Sequence, residues 1–461
     1  MIKFGTDGWR AIISDEFTFA NVKKVGQAIA LYLINHKFSK KPLIVGYDPR
    51  FLADKFAEEI TKIMEEAGIN CYLTERDTPT PIIAWEVKDK KAAGAVVLTA
   101  SHNPAQYCGI KFITEQAGPA SETITSELQE NSNKDISVPK GKKKGWVERF
   151  EPRERYLKYI SAFFDQALIK KAKPQVVYDA MHGAGRGYMD RALQDFGCQV
   201  EVLHGERDVL FGGSSPEPAD EHLGELKKKV IEFKADVGLA NDGDADRFGV
   251  VDEKGSFLNA NQVFSLVFDY LISVKGYKGS VVRSVGTTHM IDRIAARKKI
   301  TVHETPVGFK HIAKLMLEDD VIIGGEESGG LSIKGHIPEK DGILANLLIV
   351  EMIANAGKPL SAIWQDLVKK VGDVYNERVN LKLTSEGKEQ FMAKLREQTP
   401  QELAGVKVKV VNKIDGVKLV LTDGSWVLAR PSGTEPLVRI YAESDRADKL
   451  AVILEAVRNL V

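Results

Sequence analysis

The chain has 461 residues, 43% of them hydrophobic and 28% charged, the proportions of an ordinary globular protein too long for a single core. Its 64 basic and 64 acidic side chains cancel, so no long-range basic field exists to draw in nucleic acid or an anionic membrane. Three scattered cysteines, Cys71, Cys108 and Cys198, make neither a disulfide framework nor a zinc spacing and fit a reducing cytoplasm.

Strand-like runs alternate with helical stretches over the first three-quarters of the chain. Pro42–Asp48 reads as a strand ending in an acidic loop, Phe56–Ala67 shows helical periodicity, and Cys71–Leu73 resumes a strand. The apolar run Ala95–Leu98 reads as a buried strand, ended by the turn signal in Thr99-Ala-Ser-His-Asn-Pro104. Ser101 therefore stands at the mouth of a strand beside His102, where a hydroxyl can accept and donate a phosphoryl group. A serine there that merely caps its turn is the simpler reading of this segment alone. Lys134–Lys144, polar and lysine-rich, reads as a surface loop. Pro174–Asp179 is again a strand, followed by the turn Met181–Gly185 and a helix.

Ala235–Ala240 and Phe248–Val251 read as strands flanking Asn241-Asp-Gly-Asp-Ala-Asp-Arg247. Alternation turns Asp242, Asp244 and Asp246 to one side, and three hard oxygen donors favour Mg²⁺ over a transition metal. Glu253 lies at the spacing of an EF-hand, but Arg247 stands where that loop needs glycine and the flanks are strands rather than helices. Gly279–Arg283 is a further strand, and Gly324-Gly-Glu-Glu-Ser-Gly-Gly330 combines backbone freedom with acceptors suited to sugar hydroxyls. The oily stretch Ile343–Ala356 is interrupted by Asn346 and Glu351 and too short to span a bilayer; it reads as a buried helix. The N-terminus shows no apolar signal core.

Near residue 371 the pattern changes. Asp373–Leu383 and Val406–Val411 look like strands, Asp415-Gly416 and Asp423-Gly424 mark tight turns, and Arg446–Leu460 closes the chain as a helix. Within it, Arg430-Pro-Ser-Gly-Thr-Glu-Pro-Leu-Val-Arg439 offers the hydroxyls and N–H groups of Ser432, Gly433 and Thr434 between two guanidiniums, Arg430 and Arg439. Alternation of strand and helix argues for mostly parallel sheets in three blocks, residues 1–150, 151–253 and 254–370. Residues 371–461 form a smaller α+β domain whose phosphate cradle could close over substrate. No sequence period repeats.

These segments, in this order and over essentially the whole chain, resemble the α-D-phosphohexomutase superfamily of phosphoglucomutases and phosphomannomutases. The match includes Phe4-Gly-Thr-Asp-Gly8 with Arg10, the Thr99–Lys111 serine loop, the Asp242–Arg247 metal loop, the Gly325–Gly329 sugar loop and the Arg430–Thr434 phosphate loop. The resemblance implies three related α/β domains plus a fourth of TATA-binding-protein-like shape around one cleft. It implies a phosphorylated Ser101 that binds Mg²⁺ with Asp242, Asp244 and Asp246 and exchanges its phosphoryl group with a sugar phosphate through a hexose 1,6-bisphosphate. Glu326, Ser328 and Gly308 would contact the sugar. Arg430, Ser432, Gly433, Thr434 and Arg439 would clamp the phosphate that is not reacting.

Arg247 and Arg10 are placed to steady the equatorial phosphoryl oxygens. Lys111 matches a family active-site lysine, and a neighbouring cation such as Arg247 would lower its pKa and let it shuttle a proton. Histidine is common in dual-specificity relatives where Gly330 stands, so His336 and Lys340 are candidates for the cationic donor, with a buried structural role the alternative for His336. His102 is either a base or a residue that shapes its loop. Cys108 and Ala11 depart from the common asparagine and glycine with no functional account. The Glu-Glu-Ser form looks like the glucose-type branch, which makes glucose 1-phosphate the expected substrate ahead of mannose and glucosamine phosphates. A monomer or homodimer acting on small sugar phosphates is expected. A metal-dependent serine phosphatase and a sugar-phosphate sensor are the rival readings; the first releases phosphate to water, and the second needs no reactive serine.

Overall fold

The computed structural model describes residues 1–460 except Thr6 and 433–436. Among the described residues the main strands form four sheets. Three of them repeat one arrangement. In the first, Leu43–Tyr47 pairs in parallel with Cys71–Thr74 on one side and Gly94–Leu98 on the other, and Gly94–Leu98 turns back into antiparallel Tyr107–Thr114. The second repeats it with Gln175–Asp179, Gln199–Leu203, Val237–Asn241 and Phe248–Asp252. The third uses Ser280–Ser284, Val302–Thr305, Val321–Gly325 and Leu331–Ile333. Central strands such as Leu43–Tyr47 and Gly94–Leu98 are buried along their whole length, which is why they read as unbroken apolar runs. The turn from third to fourth strand carries the serine loop in the first sheet, the aspartates in the second and Glu326–Gly330 in the third. One topological position, used three times, thus supplies three parts of one site.

The helix Gly342–Ala356 lies at the centre, with nearly every side chain buried. Asp341 caps it by accepting from the Leu344 N–H at 2.9 Å, and its Asn346 donates to the Ala240 carbonyl at 3.0 Å. Gly342 is required because a Cβ there would sit 2.2 Å from the Arg247 carbonyl, so the helix start abuts the aspartate loop. No single helix among the described residues is long and apolar enough to cross a membrane.

The apolar core runs continuously through the first three sheets, from Ile44 to Val374. The fourth sheet, Tyr375–Lys382, Glu402–Leu403, Val406–Asn412, Val417–Leu421, Trp426–Pro431 and Leu437–Ser444, is wholly antiparallel and has its own core under Ser385–Glu397 and Ala447–Arg458. It meets the rest through a small cluster, Val285, Trp426, Leu428 and Tyr441, and through polar contacts. Lys418 donates to the Val285 carbonyl and to Glu304, each at 2.8 Å. A separately cored unit on a small, partly polar contact is suited to rigid-body closure.

A buried carboxylate at the junction of the first two units gives a pH-dependent stability. Glu86, in the helix Thr80–Asp89, is fully buried and pairs with Arg155 of the helix Arg153–Ser161, while its Oε2 accepts no hydrogen bond and has Lys90 Nζ 3.9 Å away. Burial pushes its carboxyl up to about 7, against the pull of Arg155 and Lys90. The folded state therefore holds this proton more tightly than the unfolded chain. The stability it contributes is complete below pH about 4.5 and is lost as pH rises through about 7. Glu86→Gln is expected to match the wild-type melting temperature at pH 5 and to exceed it by about 2–4 °C at pH 8. Thermal denaturation at the two pH values checks this, and equal melting at both would refute it.

Candidate active site

Ser101 is buried in a left-handed conformation, φ +52°, which a non-glycine residue adopts only when its surroundings impose it. The surroundings are a fully buried ion pair. Arg50 Nε lies 3.0 Å from Asp48 Oδ2, and the guanidinium donates to the carbonyls of Ser101 (2.6 Å), Asn103 (2.7 Å), Pro104 (2.8 Å) and Tyr107 (3.0 Å). Thr99 Oγ1 donates to Asp48 at 2.6 Å and accepts from the Ser101 N–H at 2.8 Å. Arg50 and Asp48 were not singled out by the sequence, although both lie in the acidic loop after the first central strand.

The serine Oγ donates to Asp242 Oδ2 at 2.7 Å. Asp242, Asp244 and Asp246 are all fully buried, with an oxygen from each within 4.8 Å of the others. Burial, and then the neighbouring Asp244 and Asp246 carboxylates, hold the Asp242 carboxyl well above its usual range. Asp244 Oδ1 and Asp246 Oδ1 are buried without hydrogen-bond partners, which costs several kcal/mol each unless something cationic meets them. All-oxygen donors, fully desolvated and converging, fit Mg²⁺. Glu253 lies elsewhere, accepting from the Ser361 N–H at 3.1 Å, so the EF-hand arrangement is absent.

Lys111 Nζ lies 2.8 Å from Asp244, 2.8 Å from Asp246 and 3.0 Å from Asp7. This corrects one expectation. Burial alone would lower the lysine pKa, but these three carboxylates outweigh it and raise it well above the usual value. Lys111 is a fixed cation here, not a lysine primed by Arg247 to give up its proton. Lys340 joins the same cluster, 3.1 Å from Asp246 and 3.5 Å from Asp7. Its stem lies over Gly330, where a Cβ would meet Lys340 Cδ at 2.3 Å, so glycine at 330 makes room for this lysine.

His336 does not join the cluster: of its two readings, donor or structural histidine, its contacts fit the second. Its Nε2 lies 2.9 Å from Asp341 and its Nδ1 3.1 Å from the Tyr159 hydroxyl, and its ring packs on Tyr159 and Phe163. It braces the capping residue of the central helix. His102 Nδ1 is 3.4 Å from Ser101 Oγ. Burial, then Arg247 and Arg10, hold its imidazole far below its usual range. That leaves the imidazole neutral beside the serine loop. Arg10 donates to Asn103 Oδ1 at 2.8 Å, from the other side of that loop.

In the third loop, Glu326 is buried and accepts from the Gly308 N–H at 2.7 Å, while Ser328 is exposed. Burial, then Glu327, pushes the Glu326 carboxyl up to about 7, against Lys340, the Gly308 N–H and Arg247. Glu327 lines the cleft beside Ser328 and accepts from Ser284 Oγ at 2.6 Å. Arg430 pairs with Asp415 at 2.7 Å and stands opposite Arg439 across adjacent strands. The Ser432 carbonyl accepts from Lys388 at 3.0 Å; Gly433 and Thr434 lie outside the described residues. A cleft of about 720 Å³ runs between Arg247, Ser328 and Gly329 on one wall and Arg378, Trp426 and Tyr441 of the antiparallel sheet on the other.

Residues 1–138, 154–255 and 259–371 match, in turn, the phosphoglucomutase/phosphomannomutase α/β/α domains I, II and III, and residues 379–460 match the C-terminal domain of that family. The chain is 32% identical over 455 residues to the phosphoglucomutase/phosphomannomutase of Thermococcus kodakarensis, spanning 98% of this chain and 96% of that one. It is 30% identical over 462 residues to the phosphoglucosamine mutase of Clostridium kluyveri, spanning 97% and 96%. A crystal structure of a Thermus thermophilus protein, provisionally named a phosphomannomutase, superposes with a TM-score of 0.87 at 33% identity over 100% of this chain and 98% of that one. With four domains in family order around a buried serine and three aspartates, the chain belongs to the α-D-phosphohexomutase superfamily and is a phosphohexomutase, an intramolecular phosphotransferase.

Proposed function

We propose that this phosphohexomutase interconverts glucose 1-phosphate and glucose 6-phosphate through a phosphoseryl group on Ser101 and a hexose 1,6-bisphosphate, with residues 1–150, 151–253, 254–370 and 371–461 as its four working parts. The observation that carries the reading is the 2.7 Å contact between the strained, buried Ser101 Oγ and a desolvated three-aspartate loop. Asp242, Asp244 and Asp246 would hold Mg²⁺ with an oxygen of the phosphoseryl group; bound there, the ion neutralises charge as the serine oxygen departs. With the Asp242 carboxyl ionised by a cation bound beside it, Asp7, Asp242, Asp244 and Asp246 would balance Lys111, Lys340, Arg247 and Arg10. A phosphoryl dianion and a divalent cation therefore enter as a neutral pair.

Lys111 and Lys340, held protonated, stay as cations beside the transferring group. A loose phosphoryl transition state asks more for such fixed charge and alignment than for a strong base. Glu326 and Ser328 would hold sugar hydroxyls in both orientations of the bisphosphate, and Arg430 and Ser432, with Gly433, Thr434 and Arg439, would clamp the idle phosphate.

The Glu326-Glu327-Ser328 form, and Ala245 where glucosamine-type mutases usually carry glycine in the aspartate loop, support glucose over glucosamine. The likeness to a phosphoglucosamine mutase keeps glucosamine 1-phosphate as the second reading. These sugars differ at C2, where a hydrogen-bonded group can carry large discrimination. Specificity constants for the glucose, mannose, glucosamine and ribose 1-phosphates, measured on one preparation, are expected to rank glucose first. A clear preference for any other overturns the assignment.

A further inference from the structure

Sugar and phosphate recognition meet in the three-residue loop that ends at Gly308. Pro306-Val-Gly308 joins the strand Val302–Thr305 to the helix Phe309–Glu318. The Gly308 N–H donates to Glu326 Oε1 at 2.7 Å, and the adjacent Val307 N–H donates to Asp415 Oδ2 at 3.0 Å. That same Asp415 oxygen accepts from Arg430 Nε at 2.7 Å. The chain of contacts runs from the sugar-loop carboxylate, through two consecutive amides, to the guanidinium of the phosphate loop, crossing between the third and fourth sheets.

The geometry on either side of this loop is imposed. Gly308 takes φ +124°, which other residues rarely adopt. Gly416, φ +87°, lets the Asp415 turn lie directly on the Arg430 strand, since a Cβ there would sit 2.2 Å from the Ala429 carbonyl. The Val307 side chain packs against the Val285, Trp426, Leu428 and Tyr441 cluster that joins the two units. Loop and turn are therefore seated by packing as well as by hydrogen bonds.

We infer that Asp415 is a positioning residue that couples the two halves of substrate recognition: it aims the Arg430 guanidinium at the idle phosphate and ties that aim to the loop holding Glu326. The inference rests on the reading that Arg430 clamps phosphate and Glu326 holds the sugar. Occupied by Asp415 through Nε, Arg430 keeps its paired Nη groups directed as a planar fork, the form that matches phosphate oxygens. Freed from Asp415, the same side chain would keep its charge and lose its direction.

The test uses the full-length enzyme and two probes, inorganic phosphate as a competitive inhibitor and the best-turned-over hexose 1-phosphate as substrate. Asp415→Ala is expected to raise the phosphate inhibition constant and the KM about tenfold while kcat changes less than about threefold, the pattern of lost uniform binding. In Arg430→Ala, which already lacks the fork, adding Asp415→Ala is expected to change the inhibition constant by less than about twofold. Asp415→Ala with Glu326→Ala should likewise raise KM by less than the product of the single effects. Asp415→Asn keeps an acceptor oxygen and should fall between wild type and alanine, which also covers an alanine variant that fails to fold. An unchanged inhibition constant in Asp415→Ala, or full additivity with Arg430→Ala, overturns the coupling. A preference for another hexose phosphate overturns the substrate reading alone, because the inorganic phosphate arm does not depend on the sugar.

Discussion

Ser101→Ala is expected to lower turnover by more than about a thousandfold while leaving the protein folded. Removing Oγ deletes the atom that carries the phosphoryl group, and no neighbour can replace it. His102 is held neutral and weakly basic, and Lys111 is an ammonium pinned among Asp7, Asp244 and Asp246. The structural loss is small, because the loop is held by Arg50 and Thr99 through backbone groups that alanine retains. Turnover, intact mass and melting temperature measured together decide the point. Wild type incubated with glucose 1,6-bisphosphate should gain the mass of one phosphoryl group, and the variant should not. Near-normal turnover in the variant would remove Ser101 from the chemistry. Free phosphate released faster than isomer would make the protein a phosphatase. An unphosphorylated wild type, with sugar-phosphate binding unchanged in the variant, would make it a sensor.

The loops that carry this chemistry are visible in the sequence because each follows a strand buried on both faces. Ala95–Leu98 and, after Asp236, Val237–Ala240 are apolar runs that stop where the chain reaches the cleft, and the observed strands Gly94–Leu98 and Val237–Asn241 follow them closely. Alternation likewise brought the three aspartates to one point. What spacing cannot carry is the identity of neighbours distant in the chain. Arg50 reads as a loop residue because its partners are carbonyls more than fifty positions away. The pKa of Lys111 is set by which charges surround it, and Asp7 and Asp244 reach it only through the tertiary fold. His336 sits four residues before Lys340, yet the backbone turns its ring into an aromatic cage while Lys340 enters the site. Asp415 reads as a turn residue, and its contact with Val307 joins segments 108 positions apart.

Gly243→Ala should be nearly as damaging as loss of the serine hydroxyl, although Gly243 bears no functional group. A Cβ at 243 would lie 2.5 Å from the Ser101 carbonyl oxygen and 3.1 Å from Pro216 Cγ. The first contact is backbone, and it cannot yield easily, because that carbonyl already accepts from Arg50 at 2.6 Å within a fully buried ion pair. The aspartate loop must move instead, and the 2.7 Å contact between Ser101 Oγ and Asp242 opens. Displacements of about 1 Å at a phosphoryl-transfer site cost on the order of a hundredfold in rate, so kcat is expected to fall at least that far. Ala245→Gly, two residues on, is the control. Ala245 sits at φ +57°, where glycine relieves backbone strain and loses some unfolded-state advantage, so its net effect on stability should stay within about 1 kcal/mol and its kcat near wild type. Steady-state kinetics on both variants separate the two cases. If Gly243→Ala kept kcat within about threefold, close approach of the two loops would not be what aligns the serine. A comparable loss in Ala245→Gly would mean the aspartate loop tolerates no change at all, and the contact with Ser101 would lose its special standing.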